Sequence, residues 1–308
     1  VRQMFGEMLG LWCVQVWHDQ GCPKNVRLAE LGPGRGTLMA DMLRAMAVAP
    51  EFLQSADIVL VEASPALRRV QEDKLKFSGV RPRWLPAFDE SLADRPLLLV
   101  ANEFFDALPI RQYVRTERGW CERMVTALIA ELVFALAPMP VPAAAIPSSH
   151  DCAPPGGVYE TSPSAAALAE DIARIVAARG GGGLIVDYGY DQRSGFGETL
   201  QAMGGHQFAD LLADPGEADL SAHVDFAALA AAARRGGAVV LPTTSQGEFL
   251  AHMGLAERAE QLMQANPASA QDLYKAVERL MGPEQMGLLF RALAILPPGQ
   301  VQAPGFGP

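Results

Sequence analysis

The chain is poor in the residues that usually announce a special chemistry. Its 308 residues include four cysteines, Cys13, Cys22, Cys121 and Cys152, with no C-x-x-C spacing. That argues against a disulfide framework or a cysteine-based zinc site and suits ordinary thiols of a reducing compartment. Of the five histidines, His18, His150 and His252 stand at no metal-ligand spacing, so no metal is expected. No serine or cysteine lies in a triad-like context. No run of about 18 apolar residues occurs, which leaves no candidate membrane-spanning helix, and no signal peptide is visible. Cationic side chains are outnumbered, 25 Lys and Arg against 35 Asp and Glu, for a net charge of −10. A general nucleic-acid binder would show a basic face, so nucleic acid is not the expected partner, whereas a basic peptide is compatible.

Apolar residues are plentiful, 50% of the chain, enough for a sizeable core. Apolar side chains at helical spacing from Met4 to Trp17 predict an amphipathic helix. That pattern is already running at Val1, so an N-terminal segment of the natural chain is expected to be missing. Strand and helix signals then alternate. Strands are predicted over Val26–Leu31, Asp57–Val61, Arg83–Leu85 and the continuous apolar run Leu97–Ala101. Helices are predicted over Thr37–Ala47 and Pro65–Phe77. Such a βαβαβ rhythm predicts a parallel sheet of the doubly wound α/β class.

The rhythm changes after Pro109. Arg111–Thr116 and Cys121–Thr126 read as a hairpin around Glu117-Arg118-Gly119, with a further strand over Leu128–Leu136. Ala137–Gly157, rich in Pro, Ala, Ser and Gly, reads as a loop or mobile connection. A helix over Pro163–Arg179, stopped by Gly180–Gly183, precedes a buried strand, Leu184–Asp187. A helix over Val224–Arg235, a strand over Ala238–Leu241, a mostly helical stretch over Gln246–Met281 and a last strand over Leu288–Ile295 follow. The expected division is a nucleotide-binding core of residues 1–109 and 158–241 with 286–296 as its final strand. Residues 110–157 and 242–285 then form an added lobe on the substrate side.

Two constellations carry chemistry. The first is Leu28-Ala-Glu-Leu-Gly-Pro-Gly-Arg-Gly36, where a strand ends and a helix opens. Gly32, Gly34 and Gly36 let the backbone turn tightly and approach a ligand. Glu30 stands just before the turn, and Glu62 ends the second strand, where doubly wound folds hold a ribose. A dinucleotide fingerprint would need a third small residue where Thr37 stands. An acid beside the turn would repel a pyrophosphate and suit an amino group, which favours S-adenosylmethionine (SAM) over NAD. The second constellation is Asn102-Glu-Phe-Phe-Asp-Ala-Leu-Pro109, after the buried strand. Ligands of an open parallel sheet sit outside the carboxyl ends of the strands. Asn102 can orient a nitrogen nucleophile there, and Glu103 and Asp106 can hold a guanidinium. Equally, Asp106 could cap a helix and Glu103 be solvated. Asp187 and Tyr188 read as site wall or core support. His223 with Asp225 reads as a helix entry or a base pair, and His206 as a residue lining a substrate loop.

These residues resemble MidA-like methyltransferases, a family that includes the mitochondrial complex I assembly factor that methylates arginine. The resemblance runs through Leu28–Arg44, Val61-Glu-Ala-Ser-Pro65, Asn102–Pro109 and Val186-Asp-Tyr-Gly189. It continues through Asp219–Phe226, Thr244–Phe249 and Met286–Ile295, nearly the whole chain. It implies a class I SAM methyltransferase fold with an added substrate-side lobe. The implied cofactor set is Glu30, Gly32, Pro33, Gly34, Gly36, Thr37, Glu62, Ala63, Ser64 and Asn102. Asn102, Glu103 and Asp106 take the catalytic roles. The implied activity is protein arginine N-methylation of a respiratory complex I subunit during assembly, giving symmetric dimethylarginine. The expected setting is the bacterial cytoplasm, or the mitochondrial matrix in a eukaryote. One departure is that the family's Gly-Asp-Phe-x-Thr element, ahead of the first helix, is not in this sequence. The residues alone leave two alternatives open, a non-catalytic SAM-binding assembly factor and an NAD(P)-linked oxidoreductase. They leave the oligomeric state undetermined.

Overall fold

A computed structural model describes residues 2–129, 131–191, 197–205 and 207–307. The first helix, α1 (Arg2–Asp19), is followed by β1 (Val26–Leu31), α2 (Thr37–Met46), α3 (Pro50–Ser55), β2 (Ala56–Val61), α4 (Pro65–Leu75), β3 (Arg83–Leu85) and β4 (Leu97–Asn102). A second run of strands comprises β5 (Arg111–Thr116), β6 (Gly119–Leu128), β7 (Glu131–Leu136) and β8 (Val158–Thr161). The chain continues through α5 (Pro163–Arg179), β9 (Gly181–Tyr190), β10 (Gln201–Gly204), β11 (Gln207–Ala209), β12 (Asp219–Ser221), β13 (Val224–Asp225), α6 (Phe226–Arg235), β14 (Val239–Val240) and β15 (Thr244–Ser245). Four helices, α7 (Gln246–His252), α8 (Leu255–Ala265), α9 (Ala270–Met281) and α10 (Met286–Leu289), lead to β16 (Phe290–Leu296).

The main sheet has the order β14-β16-β9-β4-β1-β2-β3. The five strands from β9 to β3 are parallel, and β16 runs antiparallel beside β9. Every residue of β1 is buried, as a central strand covered on both faces requires. One face carries α1, α2 and α7–α9, with Trp12, Met39, Met42, Leu60, Phe249 and Leu280 in one apolar cluster. The other carries α5 and α6, with Leu99, Ile172, Phe226 and Ile185 in a second. Burying a large side chain such as Trp12 or Phe226 stabilises the fold by roughly 2–3 kcal/mol each. α1 lies close on α2 because a Cβ at Gly10 would come 2.8 Å from the Met42 carbonyl oxygen.

Three expectations require correction. The helical stretch of residues 242–285 does not share a layer with residues 110–157. Phe249, Leu250, Leu255, Ala259, Ala276 and Leu280 are buried in the cluster that contains α1, because their amphipathic helices need the apolar face of the main sheet. The strands of the 110–157 segment instead form a separate antiparallel sheet, β7-β6-β5-β8. Its fourth strand is β8, so that unit runs to Thr161 rather than 157. The glycine run is also more than a helix stop, because β9 starts at Gly181 and pairs with β4 from Leu97. A Cβ at Gly181 would lie 2.1 Å from the Leu97 carbonyl oxygen, so the bare glycine is what admits this pairing. Finally, the connection between β7 and β8 is anchored rather than loose. Ile146 and Ala153 cover Tyr113 and Trp120, and the Val141 N–H donates to the Trp120 carbonyl. Smaller differences are the α10 turn ahead of β16 and the short β10–β12 sheet, which has no clear apolar alternation in the sequence. No helix among the described residues is long and apolar enough to cross a membrane.

Candidate cofactor and acceptor site

The parallel register brings both constellations to one edge. Leu31 at the end of β1 is level with Val61 of β2 and Ala101 of β4, and Asn102 is level with Val186 of β9. The glycine turn, the tip of β2, the loop after β4 and the tip of β9 therefore adjoin one another.

The turn from β1 to α2 is held open by backbone shape. Gly32, Gly34 and Gly36 have φ of 59°, 53° and 73°, values that side chains disfavour. Pro33 completes the turn, Gly36 precedes α2, and Thr37 is its first residue. Apart from its chain neighbours, no heavy atom of the described residues lies within 4 Å of where a Cβ on Gly34 would project, so the turn leaves free space. Glu30 is buried, and its Oε2 has no hydrogen-bond partner among the described residues. Burial pushes its pKa from 4.5 to about 8, partly opposed by the Met39 backbone N–H in the first turn of α2. A buried acid with an unfilled oxygen fits a cationic donor such as an amino group.

Glu62 is buried at the tip of β2. Its Oε1 accepts from the Ser64 N–H at 2.8 Å and its Oε2 from Gln71 Nε2 at 3.1 Å. A carboxylate has about four acceptor positions, so capacity remains for ribose hydroxyls. Ala63 is exposed, and the Ser64 hydroxyl caps α4 by accepting from the Leu67 N–H.

The reading from sequence missed Gln71. This fully buried side chain donates to the Gly34 carbonyl at 2.7 Å and to Glu62, and accepts from Trp84 Nε1 at 2.7 Å. It ties the glycine turn to the β2 tip. Its only sequence signal was a polar residue at a helix position that faces inward.

Beyond β4, Asn102 Nδ2 donates to Glu103 Oε1 at 3.2 Å. Glu103 is exposed and has φ of 49°. Asp106 is half-buried. Burial first, and the Glu103 charge second, raise its pKa to about 6. Asp106 caps no helix, and its backbone carbonyl accepts from the Ala222 N–H. Phe104 lies on the glycine turn, since a Cβ on Gly32 would come 2.7 Å from its Cδ2. The acid-bearing loop thus touches the turn.

Asp187 is wholly buried and bonded to the backbone of that loop, a support role rather than a site wall. Tyr188 packs edge-on against His223, with ring centroids 4.2 Å apart. Asp225 caps α6 by accepting from the Ala228 N–H, which favours the helix-entry reading of that pair. His206 lies outside the described residues. Among the described residues, no group of three or more His, Cys, Asp or Glu is arranged to hold a metal ion.

Glu30 supplies a prediction that needs no ligand. With its folded pKa raised, the folded chain keeps a proton that the unfolded chain releases, so stability falls as pH rises from about 4.5 toward 8. Glu30→Gln removes that dependence. The stability difference between variant and parent should move in the variant's favour by at least about 1.4 kcal/mol between about pH 6 and about pH 8. Urea unfolding at the two pH values measures it, and parallel curves would show that Glu30 is ordinarily ionised.

The family model for S-adenosyl-L-methionine-dependent methyltransferases matches residues 8–244. The mouse mitochondrial protein arginine methyltransferase NDUFAF7 is 35% identical over 96% of this chain and 73% of its own length. Its human counterpart is 33% identical over 98% of this chain and 73% of its own length. A Burkholderia thailandensis structure with S-adenosyl-homocysteine bound superposes with a TM-score of 0.83 at 28% identity, covering 99% of this chain and 78% of the other. Another structure from that organism gives a TM-score of 0.82 at 27% identity, covering 100% and 80%.

Proposed function

We propose, because the chain belongs to the MidA-like family of SAM-dependent methyltransferases, that it methylates arginine in a protein. SAM is the cofactor of this family, and when bound it supplies an electrophilic methyl group on a sulfonium. The residues present suit it. Gly34 leaves space beside the turn, Glu30 Oε2 could accept from the amino group, and Glu62 has acceptor capacity left for ribose hydroxyls. Gly32, Pro33, Gly36, Thr37, Ala63, Ser64 and Asn102 would complete the set.

One observation carries the acceptor side, the packing of Phe104 on Gly32. It supports a reading in which Glu103 and Asp106, the residues flanking Phe104 and Phe105, face the acceptor near that turn. An arginine stays cationic in water, and paired carboxylates can hold and orient its guanidinium. Asn102 orients the attacking nitrogen. Alignment is the main demand on the protein, because a correctly held nucleophile gains much of the barrier lowering from proximity alone. The names of the mouse and human relatives agree with an arginine acceptor. The acceptor we favour within that class is a respiratory complex I subunit met during assembly. The β5–β8 sheet, standing apart from the main core, is assigned to gripping that protein.

The test is incubation of the protein with methyl-labelled SAM and a cell extract, followed by mass mapping of labelled peptides. Dimethylarginine, in symmetric form, is expected on a protein. Label on a small molecule alone would overturn the acceptor class. Tight SAM binding without any transfer would favour a non-catalytic assembly role.

A further inference from the structure

The acids of the β4 loop lie on irregular backbone, tied at its ends by the Glu103 N–H to the Val186 carbonyl of β9 and by the Ala222 N–H to the Asp106 carbonyl. Glu103 has a left-handed φ of 49°, a conformation that non-glycine residues seldom adopt without support. The next three N–H groups all point at one atom. Phe104, Phe105 and Asp106 donate to Asp187 Oδ2 at 3.1, 2.8 and 3.3 Å, and Tyr188 donates to Oδ1 at 2.8 Å. Asp187 itself is wholly buried, at the carboxyl end of β9. Successive N–H groups around one oxygen form a nest for an acceptor, and here the accepting oxygen is supplied by the neighbouring strand.

We infer that Asp187 is the positioning residue that holds the loop bearing Glu103 and Asp106 in its acceptor-facing conformation. This rests on the acidic-clamp reading given above. Asp187 is not itself a group that touches an acceptor, because it is buried and both oxygens are engaged. Nor does general core support describe it. All four bonds go to backbone, and three go to the short stretch that follows Glu103 and ends at Asp106. Burial first, and the Asp106 carboxyl second, push the Asp187 pKa upward, while the N–H donors of Tyr188, Phe105 and Phe104 oppose them. Asp187 therefore sits where a bare carboxyl would be costly, and the nest makes it tolerable.

Asp187→Asn keeps the size but replaces one accepting oxygen with an amide that cannot accept. In the variant, backbone amides of Phe104–Asp106 should exchange with solvent at least about tenfold faster. S-adenosyl-homocysteine affinity should stay within about threefold, while turnover falls at least about tenfold. Added to Asp106→Asn, the substitution should lower turnover by less than about threefold more, since both act through the same loop. Unchanged exchange and turnover, or fully multiplicative losses in the double variant, would overturn the inference. Should the variant not fold, the parent decides alone. The three amides must then be protected at least about a hundredfold despite lying in a loop, and free exchange there overturns the idea. Exchange needs no acceptor, so a faster loop without any detectable transfer in either protein would retain Asp187's role and discard the methylation reading.

Discussion

Gly34→Val is expected to weaken S-adenosyl-homocysteine binding at least about a hundredfold, equivalent to about 2.7 kcal/mol, while the protein remains folded. The backbone there has φ of 53°, and apart from its chain neighbours no described residue lies within 4 Å of the position a Cβ would take. A left-handed conformation costs a side-chain-bearing residue roughly 1–2 kcal/mol, so some loss of stability accompanies the change. The larger consequence is steric, because the branched side chain projects into space that the turn otherwise leaves free. Titration calorimetry with S-adenosyl-homocysteine reads the affinity, and thermal unfolding confirms the fold. Full retention of affinity would move the cofactor away from this turn. Gly32 makes a different control, since Gly32→Ala meets the Phe104 ring 2.7 Å away and would disturb the acceptor loop as well.

The acidic pair should govern turnover. Asp106→Asn is expected to slow methyl transfer at least about tenfold, or about 1.4 kcal/mol of barrier, with SAM affinity nearly unchanged. Glu103→Gln should cost a similar factor, and the two together more than either alone. Asp106 also implies a pH signature. Burial and the Glu103 charge hold its pKa near about 6, so the free protein loses the second negative charge of the clamp as pH falls through that value. Turnover per bound acceptor should therefore decline on the acid side of about pH 6, and Asp106→Asn should flatten that limb. If both single variants turn over like the parent, the acids do not hold the acceptor.

The doubly wound core was legible in the sequence because its signals are local. A glycine turn after an apolar run, a continuous apolar strand such as Leu97–Ala101, and helices with inward faces such as Met39, Met42 and Met46 each follow from short-range physics. Chain order alone brought Glu30, Glu62 and Asn102 to one edge, since parallel strands joined by helices must end on the same side. The packing of the rest depended on partners distant in sequence. The amphipathic pattern of Gln246–Met281 announced helices without saying which apolar surface they cover, and α1 with the main sheet proved to be that surface. Gln71 carried no legible role in the sequence, because the β2 tip, the glycine turn and Trp84 that engage it meet only in the fold. Asp187 read as site wall or core support without a choice between them, because nothing nearby in the chain reveals three N–H groups more than eighty residues earlier converging on it. Residue types and their local spacing determined the fold class and the chemistry at hand. Only the tertiary structure decided which acids are free to meet a ligand and which are spent holding the backbone, because desolvation and hydrogen-bond partners are properties of the folded neighbourhood.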